Sequence, residues 1–169
     1  EEAVQRGEKL HTLGPLIHNP QMTARLEEQG VLPIEDISQA LPGYRVVFRS
    51  HGVPGALYEE LDAKGIPWLD ATCPYVKKIQ EIVRTAAEQG KVSILVGDPN
   101  HPEVQGICGH CPGEIYVVRN AEELERFLKE RQTSVKKDYI LAAQTTLKLL
   151  EWQKCVEITK KECTNFLLF

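Results

Sequence analysis

Short apolar runs of strand character alternate with amphipathic segments along almost the whole of this chain, and that alternation leaves few folds open to it. Strands are expected over residues 10–13, 45–48, 68–71, 92–96, 115–118 and 139–142. Helices are expected over 20–29, 54–64, 74–89, 121–130 and 147–161, the first three closed by Gly30, Gly65 and Gly90. Strands that alternate with helices of about 10–15 residues build βαβ units and a parallel sheet. The right-handed crossover then puts helices on both faces. The expected fold class is therefore α/β, with short, mainly parallel sheets flanked by helices. A boundary near Thr72 and Cys73 leaves three strands on each side, so two similar lobes are expected, 1–72 and 73–169. No sequence repeat between the lobes is evident.

With 169 residues, 42% of them hydrophobic and 26% charged, the chain can bury cores of that size. Its formal net charge is −4, and no basic block is longer than pairs such as Lys77 and Lys78. A nucleic-acid binder needs a basic face, so that partner is not expected. A small anion is still possible, because a few local donors can hold a phosphate whatever the overall charge. No apolar run approaches the roughly 20 residues that span a bilayer, and no signal peptide opens the chain. The five cysteines are an odd number, which fits free thiols or metal ligands in a reducing, cytoplasmic setting better than a disulfide framework. Both ends read as cut. The start resembles the tail of a helix, and the chain stops on Phe166-Leu167-Leu168-Phe169, where natural termini are more often polar and loose.

The unusual polar residues fall just after expected strands or before expected helices. They are His18-Asn19-Pro20, Ser50-His51-Gly52, Asp70-Ala71-Thr72-Cys73-Pro74, His101-Pro102-Glu103 and Gln144-Thr145-Thr146. Ligand sites of open parallel sheets form beyond the carboxyl ends of the strands, where such loops converge. Pro74 favours the first turn of a helix, which puts Cys73 at the N-cap, where the dipole and free N–H groups favour a thiolate. A small buried cysteine at a strand end is the plainer alternative. His18, His51 and His101 sit among Gly, Pro and Asn. Singly they would be surface residues, but together, as imidazolium groups, they could hold a diphosphate. Glu103 could pass a proton, or simply occupy the first turn of a short helix. Thr145 and Thr146 could donate to a ligand or cap the helix that follows.

One motif points elsewhere. Cys108-Gly109-His110-Cys111 has the spacing of a redox-active dithiol. In a thiol–disulfide oxidoreductase the first cysteine opens a helix, but here Pro112-Gly113 and a strand follow. A zinc site would need a second pair of ligands. Cys155 and Cys163 are most simply core or surface residues of the last helix region.

Taken together, these motifs resemble the 4-hydroxy-3-methylbut-2-enyl diphosphate reductase family of the non-mevalonate isoprenoid pathway. The likeness rests on Thr12 through Asn19, Arg49-Ser50-His51-Gly52-Val53, Asp70-Ala71-Thr72-Cys73-Pro74, Gly97 through Val104, and Gln144-Thr145-Thr146, in the family's order and spacing. It implies three similar α/β lobes around an iron–sulfur cluster, expected to be [4Fe-4S]. It implies an oxidoreductase that removes the substrate's hydroxyl group with two electrons from a ferredoxin- or flavodoxin-type donor. By the same resemblance Cys73 is a cluster ligand, while His18, His51 and His101 contact the substrate. Glu103 corresponds to the proton donor and Thr145 to the hydroxyl that positions and protonates the substrate oxygen. The family assigns no role to Cys108 and Cys111. Two further cluster cysteines of the family, one ahead of Glu1 and one in a third lobe, are not in this sequence. The chain alone is therefore expected to be an inactive piece of an iron–sulfur enzyme. The alternative is a non-catalytic diphosphate-binding or assembly module.

Overall fold

The computed structural model describes residues 2–14, 20–131, 138–162 and 166–169. They divide into two compact units, Glu1–Pro74 and Tyr75–Phe169.

The first unit runs α1 (Glu2–Gln5), β1 (Leu10–Leu13), α2 (Pro20–Glu28), β2 (Val31–Ile34), a 3-10 turn (Ile37–Gln39), β3 (Arg45–Phe48), α3 (Gly55–Ala63) and β4 (Trp68–Asp70). The strands lie in the order β2-β1-β3-β4, and each pairing is parallel. β2 is not foreseen from the sequence, because Pro33 interrupts a run of only four residues. It is an edge strand, where the missing N–H of proline costs nothing. Successive residues of β3 face opposite sides, and both sides are covered. Val46 and Phe48 pack with Leu61, Tyr58 and Trp68, whereas Val47 packs with Leu10, Val31, Val4 and Leu26. His11 belongs to this core rather than to a site. Its Nε2 accepts the Leu41 N–H at 3.2 Å, its Nδ1 lies 3.1 Å from the Leu32 carbonyl, and its ring stacks on Tyr44.

The second unit contains α4 (Pro74–Glu88), β5 (Val92–Val96), α5 (Pro102–Cys108), β6 (Ile115–Val118), α6 (Ala121–Arg131), β7 (Tyr139–Ala143), α7 (Leu149–Glu162) and β8 (Phe166–Leu168). Its order is β6-β5-β7-β8, again parallel throughout. All five residues of β5 are buried, as a central strand covered on both faces requires. Ile94, Val96 and Leu141 meet Leu124 and Leu128 of α6 and Cys155 of α7. On the other face Ile140 shares a cavity with Ile82 and Ala86 of α4.

The α/β class with short parallel sheets is thus the observed fold, with eight strands among the described residues where six were expected. Both sheets have the same order: the first strand is central, the second lies to one side, and the third and fourth lie to the other. The chain therefore parts between β1 and β3, and again between β5 and β7. These are the switch points at which α/β sheets bind ligands. The equivalence reaches single bonds. Gly14 N–H donates to the Ile34 carbonyl at 2.8 Å, and Gly97 N–H to the Val118 carbonyl at 2.9 Å. A trace of it is visible in the sequence: each glycine is followed four residues later by a histidine, His18 or His101.

Candidate functional site

In the second unit the loops after β5 and β7 are drawn together by one residue. Gln144 donates its backbone N–H to Val96 O at 2.9 Å and accepts the Asp98 N–H on Oε1 at 3.1 Å. Its Nε2 donates to Thr146 Oγ1 at 2.8 Å. The closeness requires Gly97, since a Cβ there would lie 2.9 Å from Gln144 Cβ, Gln144 Oε1 and Val104 Cγ2. Asp98 then folds the chain back. Its Oδ1 accepts the Asn100 N–H and its carbonyl accepts the His101 N–H.

His101 is the N-cap of α5, with Pro102 in the first turn. Its Nδ1 accepts the Glu103 N–H at 3.1 Å. A nitrogen that accepts carries no proton, so Nε2 is the ring's remaining donor.

Glu103 is 1% exposed, although its side chain is ionisable and it lies in the first turn of a helix. Both of its oxygens are bonded to one residue. Thr145 N–H donates to Oε1 at 2.6 Å and Thr145 Oγ1 to Oε2 at 2.8 Å. Thr145 itself is exposed. Its hydroxyl is therefore a single link between a buried carboxyl and the surface of the crevice. Neither threonine serves as a simple helix cap, since α7 begins only at Leu149.

In the first unit, the loops after β3 and β4 meet in a similar way. Gly52, at φ +73°, closes the Arg49–Gly52 turn by donating to the Arg49 carbonyl at 3.0 Å. His51 lies in that turn. Cys73 N–H donates to Ser50 O at 2.9 Å, so the cysteine is tied to the residue beside His51. Asp70 Oδ1 accepts the Thr72 N–H at 2.9 Å and shapes the approach to α4. Tyr58 faces Asp70 and Thr72, and burial, reinforced by the Asp70 charge, pushes its phenol up to about 12.

Glu103, Thr145 and His101 therefore converge in one unit, and Cys73 and His51 converge in the other. His18 and Cys163 lie outside the described residues. Cys108 closes α5 rather than opening a helix, at the dipole end that disfavours a thiolate. Burial pushes its thiol up, and the neighbouring Cys111 adds to the shift. Cys111 donates to the Val83 carbonyl at 3.7 Å. Cys155 is fully buried, and burial raises its thiol to about 11. No group of three or more His, Cys, Asp or Glu side chains suited to a metal ion occurs among the described residues. Cys73 can thus give one thiolate to a metal centre, but the described residues do not form a complete ligand set. Gln144 and Asp98 are the positioning residues least visible in the sequence, because their roles depend on two loops far apart along it.

The chain is 40% identical over 168 residues to the 4-hydroxy-3-methylbut-2-enyl diphosphate reductase of Caldanaerobacter subterraneus subsp. tengcongensis, covering 98% of this chain and 56% of that protein. The corresponding Geobacter sp. (strain M21) protein is 42% identical over 145 residues, which is 86% of this chain and 49% of that one. The chain therefore spans about half the length of these relatives. A solved structure of (E)-4-hydroxy-3-methyl-but-2-enyl diphosphate reductase matches with a TM-score of 0.86 at 34% identity, covering 99% of this chain and 59% of its own. A reductase structure from Plasmodium falciparum shares the fold, with a TM-score of 0.83 at 24% identity over 98% of this chain and 53% of its own. The family described as LytB protein matches residues 1–168. With its duplicated parallel sheets and the loops they carry, this chain belongs to the LytB protein family.

Proposed function

We propose that this chain forms two of the lobes of an enzyme that reductively removes the hydroxyl group of 4-hydroxy-3-methylbut-2-enyl diphosphate, giving isopentenyl and dimethylallyl diphosphates. The observation that carries the reading is the buried Glu103 carboxyl, both of whose oxygens are bonded to the exposed Thr145. Two electrons and two protons convert the alcohol to the alkene and water. Glu103, in its protonated form, gives the proton that lets hydroxide leave as water, and the Thr145 hydroxyl passes it to the substrate oxygen. The second proton ends on carbon and decides which of the two products forms. His101 donates from Nε2 to the diphosphate, and His18 and His51 join it, fixing the reacting carbon. The resemblance implies an iron–sulfur cluster, [4Fe-4S], as the source of the electrons. Cys73 would give that cluster one ligand, and a ferredoxin- or flavodoxin-type protein in the cytoplasm would be its electron donor.

The test is reduction of the substrate by the full-length protein, with Cys73→Ser alongside. The wild type should reduce the substrate, whereas the variant should lose the cluster's visible absorbance. Retained absorbance would count against Cys73 as a ligand. The 169-residue chain alone should be inactive. The alternative reading is a diphosphate-binding module without redox chemistry. Absence of iron from the full-length protein, together with intact diphosphate binding, would select it.

A further inference from the structure

We propose that Arg49 is an anion-binding residue whose guanidinium holds the diphosphate end of the ligand at the crevice between β1 and β3; this rests on the reading above. Arg49 follows the last residue of β3 and begins the turn that carries His51. Its guanidinium crosses to the end of β1. There Nη1 lies 3.0 Å from where a Cβ on Gly14 would stand, so the glycine, at φ +69°, leaves the space that the arginine fills. The side chain thus spans the switch point of the first sheet, as Gln144 ties the corresponding loops in the second.

Among the described residues no carboxylate pairs with that charge. Arg49 Nε is buried and has no hydrogen-bond partner among the described residues. Burial alone lowers its pKa, with no nearby carboxylate contributing. Four other arginines are paired instead: Arg6 and Arg45 meet Glu8, Arg119 meets Glu123, and Arg131 meets Glu114. Asp70, on the neighbouring strand, accepts the Thr72 N–H instead. A cation taken partly out of water without a counter-ion is costly, and a polyanion seated beside it removes that cost. The planar fork of arginine suits phosphate oxygens in particular, because it can give two parallel N–H bonds.

The experiment uses the full-length, cluster-loaded protein, with inorganic diphosphate as the probe. In calorimetry, Arg49→Gln should weaken diphosphate binding by about tenfold or more, and Arg49→Lys by less. Substrate KM should rise in parallel, with kcat within about threefold and cluster absorbance unchanged. In the wild type, diphosphate should protect Arg49 from phenylglyoxal, read by peptide mass mapping; this needs no variant and decides the matter if Arg49→Gln does not fold. Unchanged affinity in a folded Arg49→Gln, or equal modification with and without diphosphate, overturns the proposal. The two readings fail separately. Diphosphate binding that depends on Arg49, in a protein that does not reduce the substrate, sinks the reductase and leaves this site standing. Full reduction with binding indifferent to Arg49 does the reverse.

Discussion

Thr145 engages both oxygens of Glu103, giving its backbone N–H to Oε1 at 2.6 Å and its hydroxyl to Oε2 at 2.8 Å. The backbone bond does not depend on the hydroxyl, so a change such as Thr145→Val leaves Glu103 Oε1 its donor while the hydroxyl is lost. The pair therefore separates holding the carboxyl from using it.

Glu103→Gln tests the use. The amide oxygen can still accept the Thr145 N–H, and the amide nitrogen can donate to the Thr145 hydroxyl, so the loops should stay in place. In the full-length protein the variant should lose turnover by about 10² or more, with its melting temperature and cluster absorbance near those of the wild type. Full activity would reject the role of proton donor.

Gly97→Ala tests the close approach of the two loops. Its methyl group would meet Gln144 and Val104 at 2.9 Å, and both are packed. The expected cost is about 1–3 kcal/mol of stability in urea denaturation. Turnover should also fall, because displacing Gln144 moves Thr145. A variant as stable as the wild type would mean that the β7 loop yields freely.

Cys155 sets a dependence on alkaline pH. In the unfolded chain its thiol ionises near the ordinary 9.0, whereas burial holds it neutral in the fold to about 11. Its contribution to stability is therefore complete below pH 9 and is lost as the pH rises to 11. The stability gap between the wild type and Cys155→Ala should narrow by about 1 kcal/mol or more over that range. Urea denaturation at pH 8.5 and 11 reads it, and a constant gap would contradict the assignment.

Cys108 and Cys111 should be dispensable. Burial opposes ionisation of Cys108, and it sits at the wrong end of its helix for a nucleophile. The double serine variant should keep substrate reduction within about twofold, and the wild type should not reduce insulin disulfides. Insulin reduction that disappears in the double variant would restore the dithiol reading.

The sequence carried the sheet class and most strands because strand and helix segments alternate sharply, and β5, apolar except for Ser93, is plain to read. It hid β2, where Pro33 argues against a strand until the edge position is known. It offered α5 only as one alternative, because these seven residues have a polar start, His101-Pro102-Glu103, that equally reads as a loop. The site residues were marked by their place between elements, which needs only local pattern. Their pairing was not. That Glu103 bonds to Thr145, or that Arg49 lies against Gly14, depends on which strands are neighbours, and strand order is a property of the whole sheet. The shared order of the two sheets was equally concealed, since only the two Gly–His spacings survive in the residues themselves.

Every strand pairing among the described residues is parallel, and this bears on how the chain reaches its fold. No two paired strands can be joined by a hairpin, so neither sheet has a local nucleus. Val92 finds Tyr139 only after α5, β6 and α6 have been laid down between them. Refolding is accordingly expected on a timescale of about milliseconds or slower, with β5, whose five residues are all buried in the fold, exposed until its partners arrive. The strand that best anchors the finished crevice is also the one most in need of protection while the chain is being made.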